Sequence, residues 1–189
     1  MLSDDERHER GLAALRRIAG PDGAAPILAL ADIAPDLVRF AIDFAFGDVL
    51  SRPGLDLVTR ELCTVAALAA MGHAAPQLAW HADAAVKVGA KPSEVDEVRQ
   101  IALLHAGRQP TACQPARALD DVRRELATVA LLTALGTEEP ALKTHLRAAL
   151  DAGASRQQVI EVIEQMAVYA GFPAALNGIA AAREIFGAT

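Results

Sequence analysis

His81 and His145 stand 64 residues apart, and each is followed at the third and fourth positions by paired alanines, Ala84-Ala85 and Ala148-Ala149. On a helix these share one face, so each imidazole would border the space that small side chains leave open. An imidazole titrates near neutrality and can move a proton there; its plainer role is a buried histidine satisfied by a backbone carbonyl. Twenty residues before each histidine comes a glutamate, Glu61 or Glu125. A carboxylate in the first turns of a helix interacts well with the helix dipole. It would also serve as a proton donor or acceptor, or as the group that orients the imidazole. Arg60 and Arg124 directly precede the glutamates. A guanidinium fork matches a carboxylate, which makes them candidates to hold a substrate carboxylate, or else half of a surface ion pair. Tyr169 occupies the place that His105 holds 64 residues earlier. Either could donate a hydrogen bond near the end of a helix, or Tyr169 could simply fill the core.

The elements that must position these groups repeat. Residues 60–107 align with residues 124–171 without a gap, and about 21 of the 48 positions are identical. That level marks an internal duplication. Each copy reads as three helices. The first runs from about Asp56 to Met71, or Asp120 to Leu135, and stops at Gly72 or Gly136. The second begins at Pro76 or Pro140 and ends at Gly89 or Gly153. Ser93 and Ser155 are expected to cap the third, Ser155 forming a capping box with Gln158. A last helix should follow Gly171-Phe172-Pro173. Before the copies, Ser3 and Glu6 form a capping box for a helix to about Ala19, and Pro35 opens a second long helix ending near Leu50. The organisation is thus N-terminal helices over 1–55, repeat 1 over 56–107, a polar linker over 108–118, and repeat 2 with a C-terminal helix over 119–187. The fold class is all-α.

Axial counting separates the glutamate from the histidine within a copy. Glu61 lies roughly 16 Å from the Gly72 turn, and His81 only roughly 7 Å past Pro76, at 1.5 Å per residue. Direct contact would need a tilted crossing. A bridging water, or a partner from the other copy or another subunit, serves as well.

Composition narrows the chemistry. Half the residues (52%) are hydrophobic but only 4% are aromatic, so the core must rest on Ala, Leu, Val and Ile. The net charge of −6, with arginines scattered singly or in pairs, argues against a nucleic-acid surface. Two cysteines fifty residues apart, Cys63 and Cys113, make no disulfide framework and fit a reducing compartment. The acidic start carries no signal-peptide pattern, and the apolar run 62–71 is too short to cross a bilayer, so a cytoplasmic protein without membrane contact is expected. No Cys-x-x-Cys, phosphate-binding glycine loop or convincing metal-ligand spacing occurs.

Several segments resemble the carboxymuconolactone decarboxylase family, in the alkylhydroperoxidase D-like superfamily. Gly11 to Arg17 resembles its N-terminal helix. Phe46-Gly47-Asp48 followed by Arg52-Pro53-Gly54-Leu55 resembles its tryptophan-glycine-glutamate and arginine-proline-glycine-leucine segment. Thr59-Arg60, His81, the run Leu142 to Ala148, and Tyr169-Ala170-Gly171-Phe172-Pro173-Ala174-Ala175 continue the pattern. The resemblance implies a helical fold assembled as trimers or hexamers of repeats. It also implies a pocket containing His81 and His145, and decarboxylation of 4-carboxymuconolactone without a cofactor. The Arg-Glu-Leu starts resemble the alkylhydroperoxidase branch, yet His73 to His81 lacks the cysteine pair that branch uses.

The leading expectation is therefore a cofactor-independent lyase for a small carboxylated lactone or related oxo acid. His81 or His145 would move the proton, Glu61 or Glu125 would orient it, and Arg60 or Arg124 would anchor a carboxylate, with Tyr169 nearby. A redox protein using Cys63 or Cys113 is one alternative, and a non-catalytic oligomeric ligand binder is another. Because single-repeat relatives resemble hexamers, two fused repeats should give a homotrimer.

Overall fold

The structure is a computed structural model that describes residues 3–109 and 117–187. It is all-α, with no strand among the described residues. It divides into two compact units, residues 1–53 and residues 54–189.

The first unit opens with α1 (Asp4–Ala19), whose Ser3 cap and Glu6 form the reciprocal capping box. A one-turn helix, α2 (Ala25–Leu28), follows, with Pro26 in its first turn. The single helix expected from Pro35 to Leu50 changes character midway. Its first part is α3 (Pro35–Phe40), and Ala41–Leu50 winds as a π-helix. Apolar periodicity does not distinguish the two windings. The π-helix lies close against α1. A Cβ on Gly47 would come 2.8 Å from the Arg7 carbonyl, and one on Gly11 would strike the Ile42 carbonyl. Leu15, Ile18, Ile42 and Leu50 form the buried seam. Asp43 is buried here between His8 (Nδ1 to Oδ1, 2.7 Å) and Arg39 (Nε to Oδ2, 3.1 Å). Burial works to raise its carboxyl, but hydrogen bonds from His8 and Arg39 outweigh that and hold it below the ordinary value.

The second unit contains both copies. Copy one is α4 (Leu57–Met71), α5 (Ala75–Lys87) and α6 (Pro92–His105); copy two is α7 (Asp121–Leu135), α8 (Glu139–Asp151) and α9 (Arg156–Gly187). Equivalent caps start the first helices. Asp56 accepts from the Thr59 amide at 3.0 Å, and Asp120 from the Arg123 amide at 2.8 Å. Gly72 (φ 76°) and Gly136 (φ 66°) end them in the left-handed conformation that glycine adopts without strain. One expected cap is misplaced. Ser93 lies inside α6, because Pro92 takes the first helical position and the Lys91 amide donates to Glu94 at 2.7 Å. Ser155 does form its box with Gln158.

α4 and α7 pack against each other at the centre. Leu62, Val65 and Ala66 of α4 and Leu126, Val129 and Ala130 of α7 are fully buried in one core with Val159, Val162 and Met166 of α9. Alanines at 66 and 130 let the two backbones approach. Among the described residues, α9 is the one helix long and apolar enough by length and composition to cross a membrane. It breaks at Gly171 (φ 84°, ψ 166°) before Pro173, however, and neither half reaches the roughly 20 residues a span needs.

Candidate active site

The glutamate and histidine of each copy touch directly. His81 Nδ1 lies 2.7 Å from Glu61 Oε2, and His145 Nδ1 lies 2.6 Å from Glu125 Oε2. Axial counting pushed them apart because it treated the two helices as level and parallel at the turn. With that idealisation dropped, two long side chains span the offset. A carboxylate on Nδ1 places the proton there and leaves Nε2 as the nitrogen that can face a substrate.

Each pair is completed by a ring from the other copy. Tyr169 of α9 stands edge-on to His81, ring centroids 5.5 Å apart, and His105 of α6 stands edge-on to His145 at 5.4 Å. The pseudo-twofold that relates the copies therefore produces two composite centres. Trp80 packs edge-on against His81 at 4.7 Å, where the second centre has Thr144. Tyr169 also hydrogen-bonds Thr64, and its hydroxyl is pushed well above the ordinary value, first by burial and then by the charge of Glu61. His105 is pushed below its ordinary 6.5, by burial first and then by repulsion from His145, with Glu125 acting in the opposite sense.

The two centres differ in access. The His81 and Glu61 side chains are 9% and 0% exposed, whereas those of His145 and Glu125 are 26% and 18% exposed. Glu61 Oε1 is buried without a hydrogen-bond partner. A substrate can reach the second centre with less rearrangement.

The arginines exchange copies in the same way. Arg60 is wholly buried, its Nη2 2.7 Å from Glu161 Oε2 and its Nη1 3.2 Å from Gln165 Oε1. Gln165 Nε2 in turn donates to the Arg60 carbonyl and to Thr64 Oγ1, both at 2.9 Å. Arg124, 23% exposed, pairs with the buried Glu97. Glu97 and Glu161 are themselves 64 residues apart, so these are equivalent ties between copies. A substrate carboxylate at Arg60 would have to displace Glu161. Gly54 belongs to the same cluster, because a Cβ there would come 2.7 Å from Glu161 Oε1. That crowding gives the Arg52-Pro53-Gly54-Leu55 segment a physical reason for its glycine. Gln165 was missed in the sequence because its counterpart is Ile101.

Cys63 is fully buried in α4, and burial pushes its thiol far above the ordinary value, so the reactive thiolate is disfavoured. Cys113 lies outside the described residues. In a Cys113→Ser variant, a thiol-labelling reagent should leave Cys63 untouched in the native protein and modify it at once in denaturant. Rapid native labelling would contradict the buried placement.

An all-helical tandem repeat whose copies each carry an Arg-Glu start, buried in copy one and half-buried in copy two, and a Glu–His pair defines the class. Residues 35–118 and 111–184 match the carboxymuconolactone decarboxylase family, and the chain belongs to that family. It is 34% identical over 107 residues to a 4-carboxymuconolactone decarboxylase of Acinetobacter baylyi, covering 56% of this chain and 79% of the relative. It is also 35% identical over 69 residues to an uncharacterized 15.0 kDa protein of Paracoccus denitrificans, covering 36% of this chain and 52% of that one.

Proposed function

We propose that the chain is a cofactor-independent carboxy-lyase of the 4-carboxymuconolactone decarboxylase type, acting on a small carboxylated lactone or related oxo acid. The observation that carries the reading is the Glu–His pair with Nδ1 held, built twice from equivalent residues. In the reaction the carbon–carbon bond to the carboxylate breaks and CO₂ leaves. The electron pair passes into the substrate's conjugated system, and a proton must then be delivered to carbon. An imidazolium whose Nδ1 faces a carboxylate can deliver that proton from Nε2, and the carboxylate stabilises the charged ring meanwhile. The more accessible centre, His145 with Glu125 and His105, is the one assigned to turnover. Arg124 is the more accessible arginine for a substrate carboxylate. The enclosed His81 centre is assigned to holding the copies together.

Purified protein should consume 4-carboxymuconolactone in a spectrophotometric assay. No turnover of this or related lactones, together with a thermal shift on adding small carboxylic acids, would replace the lyase by a non-catalytic binder.

The proposal extends to assembly as a homotrimer, the arrangement that fusing two repeats of a hexamer would give. Exposed apolar residues, including Leu104, Phe172 and Leu176, support burial of further surface between chains. Light scattering on the eluted protein should give a mass near three chains of 19.8 kDa. A mass near one chain at micromolar concentration would overturn the trimer.

A further inference from the structure

The two copies finish their first helix differently. In copy one, Arg108 lays its guanidinium on the C-terminal end of α4. Its Nη2 donates to the Ala69 carbonyl at 3.1 Å and to the Ala70 carbonyl, and a Cβ on Gly72 would collide with it. A cation is favoured there, because the last carbonyls of a helix lack partners within it and form the negative end of its dipole. In copy two the position equivalent to Arg108 is Phe172, which follows the break at Gly171 and is mostly exposed. Among the described residues that line the end of α7 there is no arginine.

That end of α7 opens instead on a cavity of about 240 Å³, walled by Thr133 and Gly136, the counterparts of Ala69 and Gly72, and by α8 and the last part of α9. Thr133 is 2% exposed, and its Oγ1 is buried with no hydrogen-bond partner. Glu139 and Glu184 line the cavity and share one cation, Lys143, at 2.6 and 2.8 Å. Two carboxylates and one ammonium leave an excess negative charge beside a helix C-terminus. Leu132 and Leu142 supply an apolar wall. None of the residues of the Glu–His centres lines this cavity.

We propose that this cavity binds a small alkylguanidinium, the cation that copy one supplies from its own chain. The guanidinium donates to the end of α7 and, once the Thr133 side chain turns its buried hydroxyl into the cavity that the residue lines, to Thr133 Oγ1; Glu184 balances its charge, and the alkyl chain lies along Leu132 and Leu142. Calorimetric titration of the full chain with n-butylguanidinium tests this, with N-butylurea as a neutral probe of the same shape. The guanidinium should bind at least about fivefold more tightly, the size expected for one partly exposed charge contact. Glu184→Gln changes a side chain that is 64% exposed. It should weaken guanidinium binding by a similar factor and leave urea binding unchanged. Thr133→Val keeps the shape and removes the hydroxyl. It should bind the guanidinium more weakly while melting at a higher temperature, because an orphaned buried hydroxyl destabilises the parent. Equal affinity for the two probes, or guanidinium binding unchanged in both variants, would overturn the proposal.

Discussion

Replacing His145 with alanine should lower kcat for lactone decarboxylation by about 10²- to 10⁴-fold, the range for loss of a positioned proton-transfer group. Replacing His81 should change kcat by much less and lower stability instead. The difference follows from access: the His145 and Glu125 side chains are 26% and 18% exposed, those of His81 and Glu61 9% and 0%. A lactone carrying a carboxylate can approach the first pair through solvent, while the second lies inside the contact between copies, with Tyr169 and Trp80 against its imidazole. A second measurement separates catalysis from packing. His105 is held below its ordinary pKa by burial and then by His145. In the His145→Ala variant that repulsion is gone, so His105 should titrate at higher pH than in the parent when followed by NMR. In the parent the depressed value keeps His105 neutral further into the acid range than a free imidazole. The sign for stability follows. The unfolded chain takes up this proton more readily, so His105 lowers stability as pH falls through its unfolded value near 6.5. Equal losses of kcat on changing either histidine would remove the assignment of turnover to one centre.

The duplication was legible because it rests on identity at a fixed offset, and the helices of the second unit follow from their prolines, glycines and caps, except that α6 starts at Pro92 and takes Ser93 inside it. Pairing across the copies was harder to read. His105 and Tyr169 could be aligned with each other, but alignment alone does not say that each faces the histidine of the opposite copy. Glu97 and Glu161 carry a signal of their own: a glutamate repeated beside Val98 and Val162, on the apolar side of the third helix, requires a buried cation. Arg60 and Arg124 look alike in sequence, yet one is enclosed and the other reaches solvent. That asymmetry comes from unlike neighbours such as Gln165 and Ile101, which have no pattern to betray them. The Glu–His contact was obscured by an axial count that ignored side-chain reach. The π-winding of Ala41–Leu50 has no counterpart in hydrophobic periodicity at all.

The buried tie between the copies carries the second large effect. Arg60→Met should destabilise the protein by about 3–5 kcal/mol, because it takes the buried guanidinium away from the buried Glu161 carboxylate, to which Gln157 donates at 3.0 Å. It also strips Gln165 of one of its contacts. Arg124→Met should cost less, about 1–2 kcal/mol. Its partner Glu97 keeps two backbone donors, the amides of Ala118 and Leu119 at 2.6 and 2.8 Å, and Arg124 itself is partly in water already. Adding Glu161→Leu to Arg60→Met removes the stranded carboxylate and should recover most of the loss, since an apolar pair of similar volume often replaces a buried ion pair without penalty. Denaturant unfolding of the parent, the two single variants and the double variant measures all of these at once. Equal losses in Arg60→Met and Arg124→Met would show that burial does not distinguish the two ties. A double variant no more stable than Arg60→Met would mean that Arg60 contributes through packing and its Gln165 contacts rather than through its charge.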